Sequence, residues 1–266
     1  MMRFSLAGLW QLSALTDMSL PQNDLSFPAP LSQALPSELT ETAIAEQEWH
    51  LMHDIEVDEA LLSFAAIELV LAGIDYHAEV RLNGVALFDC DGSQNVYKKD
   101  LRPLLNMGRN RFEILFLHAD DDYLIADSDL CLLGQTQVKI TDPRMGIWQE
   151  PYLKLIRHLR LDYVNTEQIW HDGGSCEVLI KLFYTIFAAG LVSAKVQFNG
   201  MTYHIPIDVR SQQASALFQI DAPKSHQALH EQLPEYYLLR VELDDQKFTA
   251  QVALDRQFCV SHFPVD

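Results

Sequence analysis

Two histidine pairs and two acidic clusters are the residues whose types and spacing could do chemistry. His226 and His230 in "HQALHE" stand one helical turn apart, a spacing that can hold zinc. The pair lacks the glutamate of H-E-x-x-H and no third ligand is evident, so it reads as a solvated helix face. His50 and His53 in "HLMH" differ by an odd number, so on a strand they point to opposite faces and do not share an ion. "DCDGSQN" (89–95) and "DDD" (120–122) gather the oxygens that a hard cation needs. The first departs from the D-x-D-x-D-G-x5-E loop, and both read as ordinary acidic turns, with a structural calcium as the alternative. No metal ligand is assigned. The four cysteines, Cys90, Cys131, Cys176 and Cys259, fit no zinc spacing and read as free thiols of a reducing, cytoplasmic compartment. G-x-S-x-G, P-loop and G-x-G-x-x-G motifs are all absent, which removes support for nucleophilic hydrolase and nucleotide chemistry.

The bulk properties narrow the partners. The 266 residues suffice for one large or two medium domains, and the 48% hydrophobic content suffices for real cores. A net charge of −18 repels phosphate backbones and argues against nucleic acid. No apolar run approaches the ~20 residues that span a bilayer as a helix, so no membrane partner is expected.

The elements that must position any site are strands. "FSLAGLWQLSALTD" (4–17) has its apolar stretch interrupted by Gln11 and Ser13 and ends without a small-residue cleavage pattern. It therefore reads as an opening strand over residues 4–13 rather than a secretion signal. Residues 14–46, with Pro21, Pro28, Pro30 and Pro36, read as a long irregular crossing with one helical turn near Leu31 to Leu35. "EWHLMHDIEV" (48–57), "AIELVLAG" (66–73) and "HAEVRLNGVALF" (77–88) follow as strands, the last a hairpin turning at Asn83-Gly84. "DLRPLLNMGRNRFEILFLH" (100–118) reads as a short turn and a strand, and "LKLIRHLRLDYV" (153–164) as one more strand. "NTEQIWHDGGS" (165–175) reads as a linker and first loop. A second set of strands then begins: "CEVLIKLFYTIF", the "AKVQFNGMTYHIPIDV" hairpin, "SALFQI", "EYYLLRVEL" and "KFTAQVALD". The one convincing helix is "PKSHQALHEQL" (223–233). Strands at ~8–12-residue spacing with turn residues between them predict two all-β sandwiches.

Several phrases in order resemble the N-terminal part of family 2 glycoside hydrolases, the β-galactosidase, β-glucuronidase and β-mannosidase group. They are "LAGLWQL" (6–12), "EWHLMHDIEV", "LVLAGIDYHAEVRLNG" (69–84), "DLRPLLNMGRNRFEILF", "DPRMGIWQEPYLKL" (142–155) and "PEYYLLRVEL". The resemblance implies a galactose-binding-like jelly roll over 1–165 followed by an immunoglobulin-like β-sandwich over 166–266. In that family a TIM barrel carries the catalytic carboxylates, and a barrel needs roughly 200–250 residues. The sequence has no counterpart of the Asn-Glu acid/base signature, and "RQFCV" (256–260) stands in place of the phrase that leads into the barrel. Gln149 replaces the arginine of G-I-W-R. No catalytic residue is assigned, and the chain is expected to be non-catalytic, with a fragment of a β-galactosidase or β-mannosidase active only with its barrel as an alternative.

The resemblance also suggests a sugar site. The family's loop before G-I-W supplies an acid and a base, which match Asp142 and Arg144. A carboxylate accepts from sugar hydroxyls and a guanidinium donates to sugar oxygens. Tyr76, Tyr97 and Tyr152 are candidates to stack on a pyranose ring. Trp148 and Trp170 share that chemistry, although Trp10, Trp49 and Trp148 sit inside strand phrases and read as core. The expected partners are a carbohydrate or a protein chain, either a separate glycosidase subunit or a second copy of this chain.

Overall fold

The computed structural model describes residues 2–75, 77–117, 144–208, 210–223, 236–257 and 259–265. The strands in chain order are β1 (Met2–Ser5), β2 (Leu9–Ala14), β3 (Asn23–Ser26), β4 (Ala29–Pro30), β5 (Trp49–Val57), β6 (Ala66–Ala72), β7 (Ile74–Asp75), β8 (Ala78–Leu82), β9 (Val85–Cys90), β10 (Val96–Asp100), β11 (Gly108–Phe116), β12 (Gly146–Ile147) and β13 (Tyr152–Ile156). After them come β14 (Leu159–Trp170), β15 (Cys176–Ile186), β16 (Ser193–Phe198), β17 (Met201–Pro206), β18 (Gln213–Ile220), β19 (Tyr237–Leu243), β20 (Gln246–Val252) and β21 (Val260–Pro264). The chain forms two compact units. The N-terminal unit comprises Arg3–Ser63 and Ile67–Lys154, and the C-terminal unit comprises Met1–Met2, Phe64–Ala66 and Leu155–Asp266.

The N-terminal unit is built on a six-stranded sheet, β3-β2-β5-β11-β8-β9, a four-stranded sheet, β1-β13-β6-β10, and a three-stranded ribbon, β4-β12-β7. Strict alternation along β11, in which Asn110, Phe112, Ile114 and Phe116 are buried, gives one core face. Every residue of β6 is buried, so both its faces are covered. The opening stretch divides into β1 and β2 rather than forming one strand. The break falls at Leu6–Gly8, where the Leu6 amide donates to the Pro151 carbonyl and the Trp10 indole donates back to the Leu6 carbonyl at 2.7 Å. Two short helices in loops, Glu41–Ala45 and Glu59–Leu62, start on side-chain caps from Thr40 and Asp58.

The C-terminal unit is a sandwich of β18-β15-β14-β21 on β17-β16-β19-β20. Its core is made of inward positions from both sheets, among them Val164, Val178, Ile180, Val196, Phe198, Phe218, Leu239 and Val241, each at most 1% exposed. Full burial of such side chains contributes about 1.5–3 kcal/mol each. Two-residue turns at Asn199-Gly200 and Asp244-Asp245, all four residues at positive φ, close its hairpins.

The all-β sandwich class is as the sequence indicated, and two local readings need correction. "LKLIRHLRLDYV" is two strands, β13 and β14, and "NTEQIW" is not linker but the second half of β14. Thr166 and Gln168 are buried there and pair across to Ile180 and Val178 of β15. The polar composition of 165–170 hides this, because a strand that buries Thr166 and Gln168 shows no apolar alternation. Gln168 donates to the Ala253 carbonyl and accepts from the Asp255 amide. The helix expected at 223–233 and the pair His226/His230 lie outside the described residues, apart from Pro223 itself.

Candidate functional site

The N-terminal unit interrupts its long strands at the ribbon formed by β4, β12 and β7. Gly146 and Ile147 pair with Pro30 and Ala29 on one side and with Asp75 and Ile74 on the other. Gly146 is required by the close approach. A Cβ there would lie 2.6 Å from the Ala29 carbonyl oxygen and 2.8 Å from the Pro30 Cα. Gly73 reverses the chain with φ +60°, and its carbonyl accepts from the Trp148 amide at 2.7 Å.

This backbone brings three side chains of complementary chemistry together. The Trp148 indole Nε1 donates to the Asp75 carboxylate at 2.7 Å. The Arg144 guanidinium stands 5.6 Å from the Trp148 ring centroid. Asp75 and Arg144 are exposed and Trp148 is half-buried. The cluster thus offers carboxylate acceptors, guanidinium donors and an aromatic surface. That set suits a polyhydroxylated ring, whose hydroxyls need partners while its C–H face needs an apolar one.

Of the residues singled out from the sequence, Arg144 is in this cluster, while Asp142 and Tyr76 lie outside the described residues, Asp142 two positions before Arg144 and Tyr76 directly after Asp75. Tyr97 is elsewhere and 5% exposed. Its ring stacks on Phe88 with centroids 5.7 Å apart, and its hydroxyl accepts from the Asp91 and Gly92 amides while donating to the Asp91 carboxylate. Tyr97 therefore pins the 91–93 turn, and its ring faces are packed rather than open. Tyr152 has the Arg3 guanidinium 4.1 Å from its ring centroid, and Trp170, in the C-terminal unit, has Arg256 at 5.1 Å.

Trp148 departs from the core reading that its strand phrase suggested, whereas Trp10 and Trp49 are 1% and 0% exposed. Asp75 was not named from the sequence. The available signal was an acid ending the apolar run "IELVLAGID". Its pairing opposite Gly146 is a contact across 71 positions that no local pattern shows.

Several other titratable groups among the described residues are engaged in the fold. The Asp91 carboxyl is held below its usual range by hydrogen bonds from the Ser93 side chain and amide. Burial pushes the Cys90 thiol up to about 12, with Asp91 and Asp89 adding to it, so it is no nucleophile at neutral pH. Hydrogen bonds from Arg111 and then Arg109 lower Asp54 to about 2. His50 pairs with Glu113 at 3.0 Å, and His53 with the Leu9 carbonyl at 2.8 Å, so the two histidines have separate partners. Among the described residues no three His, Cys, Asp or Glu side chains group as metal ligands would.

Residues 28–128 match the family described as glycosyl hydrolase 2 galactose-binding domain-like. No curated protein matches the chain in sequence. Solved structures share its fold over 95% of its length. A β-D-mannosidase from Dictyoglomus thermophilum does so with TM-score 0.70 and 17% identity. A putative β-galactosidase from Bacteroides fragilis has TM-score 0.60 and 12% identity. A β-glucuronidase from Bifidobacterium dentium has TM-score 0.59 and 14% identity. The chain spans 36%, 41% and 48% of those three proteins, respectively. At these identities the likeness is one of fold.

Proposed function

We propose that this chain, which resembles the galactose-binding-like N-terminal part of family 2 glycoside hydrolases, is a non-catalytic carbohydrate-binding module. Its site is the Asp75–Trp148–Arg144 cluster, and Asp142 and Tyr76, close to Arg144 and Asp75 in the sequence, are proposed as further contributors. The observation that carries this reading is the 2.7 Å bond from the half-buried Trp148 indole to the exposed Asp75 carboxylate. It orients an acid and a ring toward the same solvent-facing spot of the ribbon. Trp148 supplies apolar area to the C–H face of a pyranose, Asp75 accepts from its hydroxyls, and Arg144 donates to its oxygens.

A second reading is favoured by the share of relatives that the chain spans. The module would then serve a glycosidase barrel, in the same or another polypeptide, as a wall of its sugar pocket.

The test is thermal unfolding against galactose, glucuronate, mannose and manno-oligosaccharides. A sugar at about 100 times its dissociation constant stabilises by about 2.7 kcal/mol. For a chain of this size that is a shift of several degrees, at ~2–4 °C per kcal/mol. The expected result is a selective shift lost in Asp75→Asn and in Trp148→Ala. A flat panel up to high millimolar sugar sinks the carbohydrate reading of the isolated chain.

A further inference from the structure

We propose that the outer edge of β17 in the C-terminal unit is a self-association site, at which two copies of this chain pair antiparallel about a two-fold axis through Tyr203. An edge strand exposes unpaired amides and carbonyls, and proteins commonly protect it with charged side chains. The edge strands of the larger sheets mostly follow that rule: β1 carries Arg3, β3 Asp24, β9 Asp89, β10 Lys98 and β20 Lys247. By contrast, "MTYHIP" of β17 has no Asp, Glu, Lys or Arg, and neither has "QASALFQI" of the neighbouring edge β18. In a chain of net charge −18, copies repel each other almost everywhere, and a charge-free edge is where that repulsion is least. Exposure on both faces sets β17 apart from the other charge-free edges of the larger sheets, β18 and β21. Four of its six residues are exposed, on both faces. β18 instead buries Ala216, Phe218 and Ile220, and on β21 the His262 side chain is taken by Asn165 at 2.6 Å.

The register fixes how two copies meet. The Asn199-Gly200 turn makes Phe198 and Met201 the closing pair, and the Ile207 amide reaches the Val192 carbonyl at 3.0 Å. In an antiparallel ladder the residues between such hydrogen-bonded pairs aim their amides and carbonyls outward. On β17 these are Thr202 and His204, with Pro206 following and lacking an amide hydrogen. Pairing Thr202 with His204 of a second copy, and the reverse, makes four backbone hydrogen bonds and sets the two Tyr203 side chains opposite each other. Tyr203 is 44% exposed, with its ring centroid 4.7 Å from that of Phe218 and Leu217, 48% exposed, lining the same groove. Pro206 ends the ladder, and the two-fold closes it, so the product is a discrete dimer rather than a growing fibre. An interface of this size is small, and a dissociation constant of order 10–100 μM is expected.

The test combines sedimentation velocity with residue-resolved amide exchange on the full chain over a concentration series. The expected result is a monomer–dimer equilibrium in which the Thr202 and His204 amides become protected as concentration rises. Thr202→Lys and His204→Glu singly set like charges diagonally across the axis and should weaken association about fivefold. The double variant sets two opposite-charge pairs across it and should restore the dimer. A monomer at every concentration, with no change in exchange at Thr202 and His204, overturns the proposal. So does a dimer indifferent to all three variants, because it would be using another face.

Discussion

Residues 1–154 carry 24 Asp and Glu against 10 Lys and Arg, while residues 155–266 carry 13 against 9. The two units also spend their polar groups differently. In the C-terminal unit the buried polar side chains close the fold on itself. Gln246 accepts from the Leu161 amide and donates to the Leu159 carbonyl, and the Asp244 carboxylate accepts from the His158 and Leu159 amides. In the N-terminal unit the ribbon leaves an acid, a base and an indole facing solvent where strand regularity lapses. Long regular strands satisfy their own backbone and leave side chains to packing. Two-residue strands held by a glycine contact free side chains for a ligand.

Glycine substitution is the sharpest way to break that contrast. Gly146→Ala should cost about 3 kcal/mol, because the added methyl meets the backbone of β4 at Ala29 and Pro30. Gly200→Ala, at φ +76° with nothing within 4 Å, should cost only about 1 kcal/mol of backbone strain. Thermal unfolding of both variants checks this, and equal costs would mean that the ribbon is not tightly packed. Asp244→Ala should follow at about 2 kcal/mol, since it orphans two amides, while Asp244→Asn keeps an acceptor and tolerates the φ of 45°. Denaturant unfolding distinguishes the two. Tyr97→Phe should cost about 1 kcal/mol and loosen the 91–93 turn without changing sugar binding. A lost sugar response in that variant would return Tyr97 to the site.

The smallest effect is expected at Asp54. Its folded carboxyl titrates near 2, below the ordinary 3.8, so its contribution is complete above about pH 5 and fades as pH falls through 4 toward 2. Both arginine partners are largely exposed, at 65% and 43%, which screens the interaction and limits Asp54→Asn to at most about 1 kcal/mol at neutral pH. The wild-type advantage should vanish near pH 2. A difference that persists there would assign the effect to packing rather than charge.

The strands were legible because their information is local. Alternation in "CEVLIKLFYTI" and the Asn83-Gly84 and Asn199-Gly200 turns mark hairpins without any knowledge of distant residues. β10, "VYKKD", escaped notice because it offers only one buried side chain, and β21 because its five residues alternate weakly. The site was half legible. Arg144 followed from its place before Gly146-Ile147-Trp148, but the partner of Trp148 depends on the crossing of β7 and β12, which the sequence does not encode in any short window. Tyr97 attracted attention as an aromatic beside a polar loop. Its hydroxyl in fact binds that loop, a use that composition cannot tell from ligand stacking.

The most direct test of the central claim is a calorimetric titration of the sugar panel into the wild-type chain and the Asp75→Asn variant, followed in parallel by Trp fluorescence. Trp10 and Trp49 are buried and Trp170 belongs to the C-terminal unit, so a ligand-dependent change that Trp148→Ala abolishes comes from Trp148. The expected result is saturable binding of one sugar class, a fluorescence change abolished by Trp148→Ala, and at least about tenfold weaker binding in Asp75→Asn. Saturable binding that is unaffected by both substitutions would place the sugar elsewhere and contradict the assignment of this ribbon as its site.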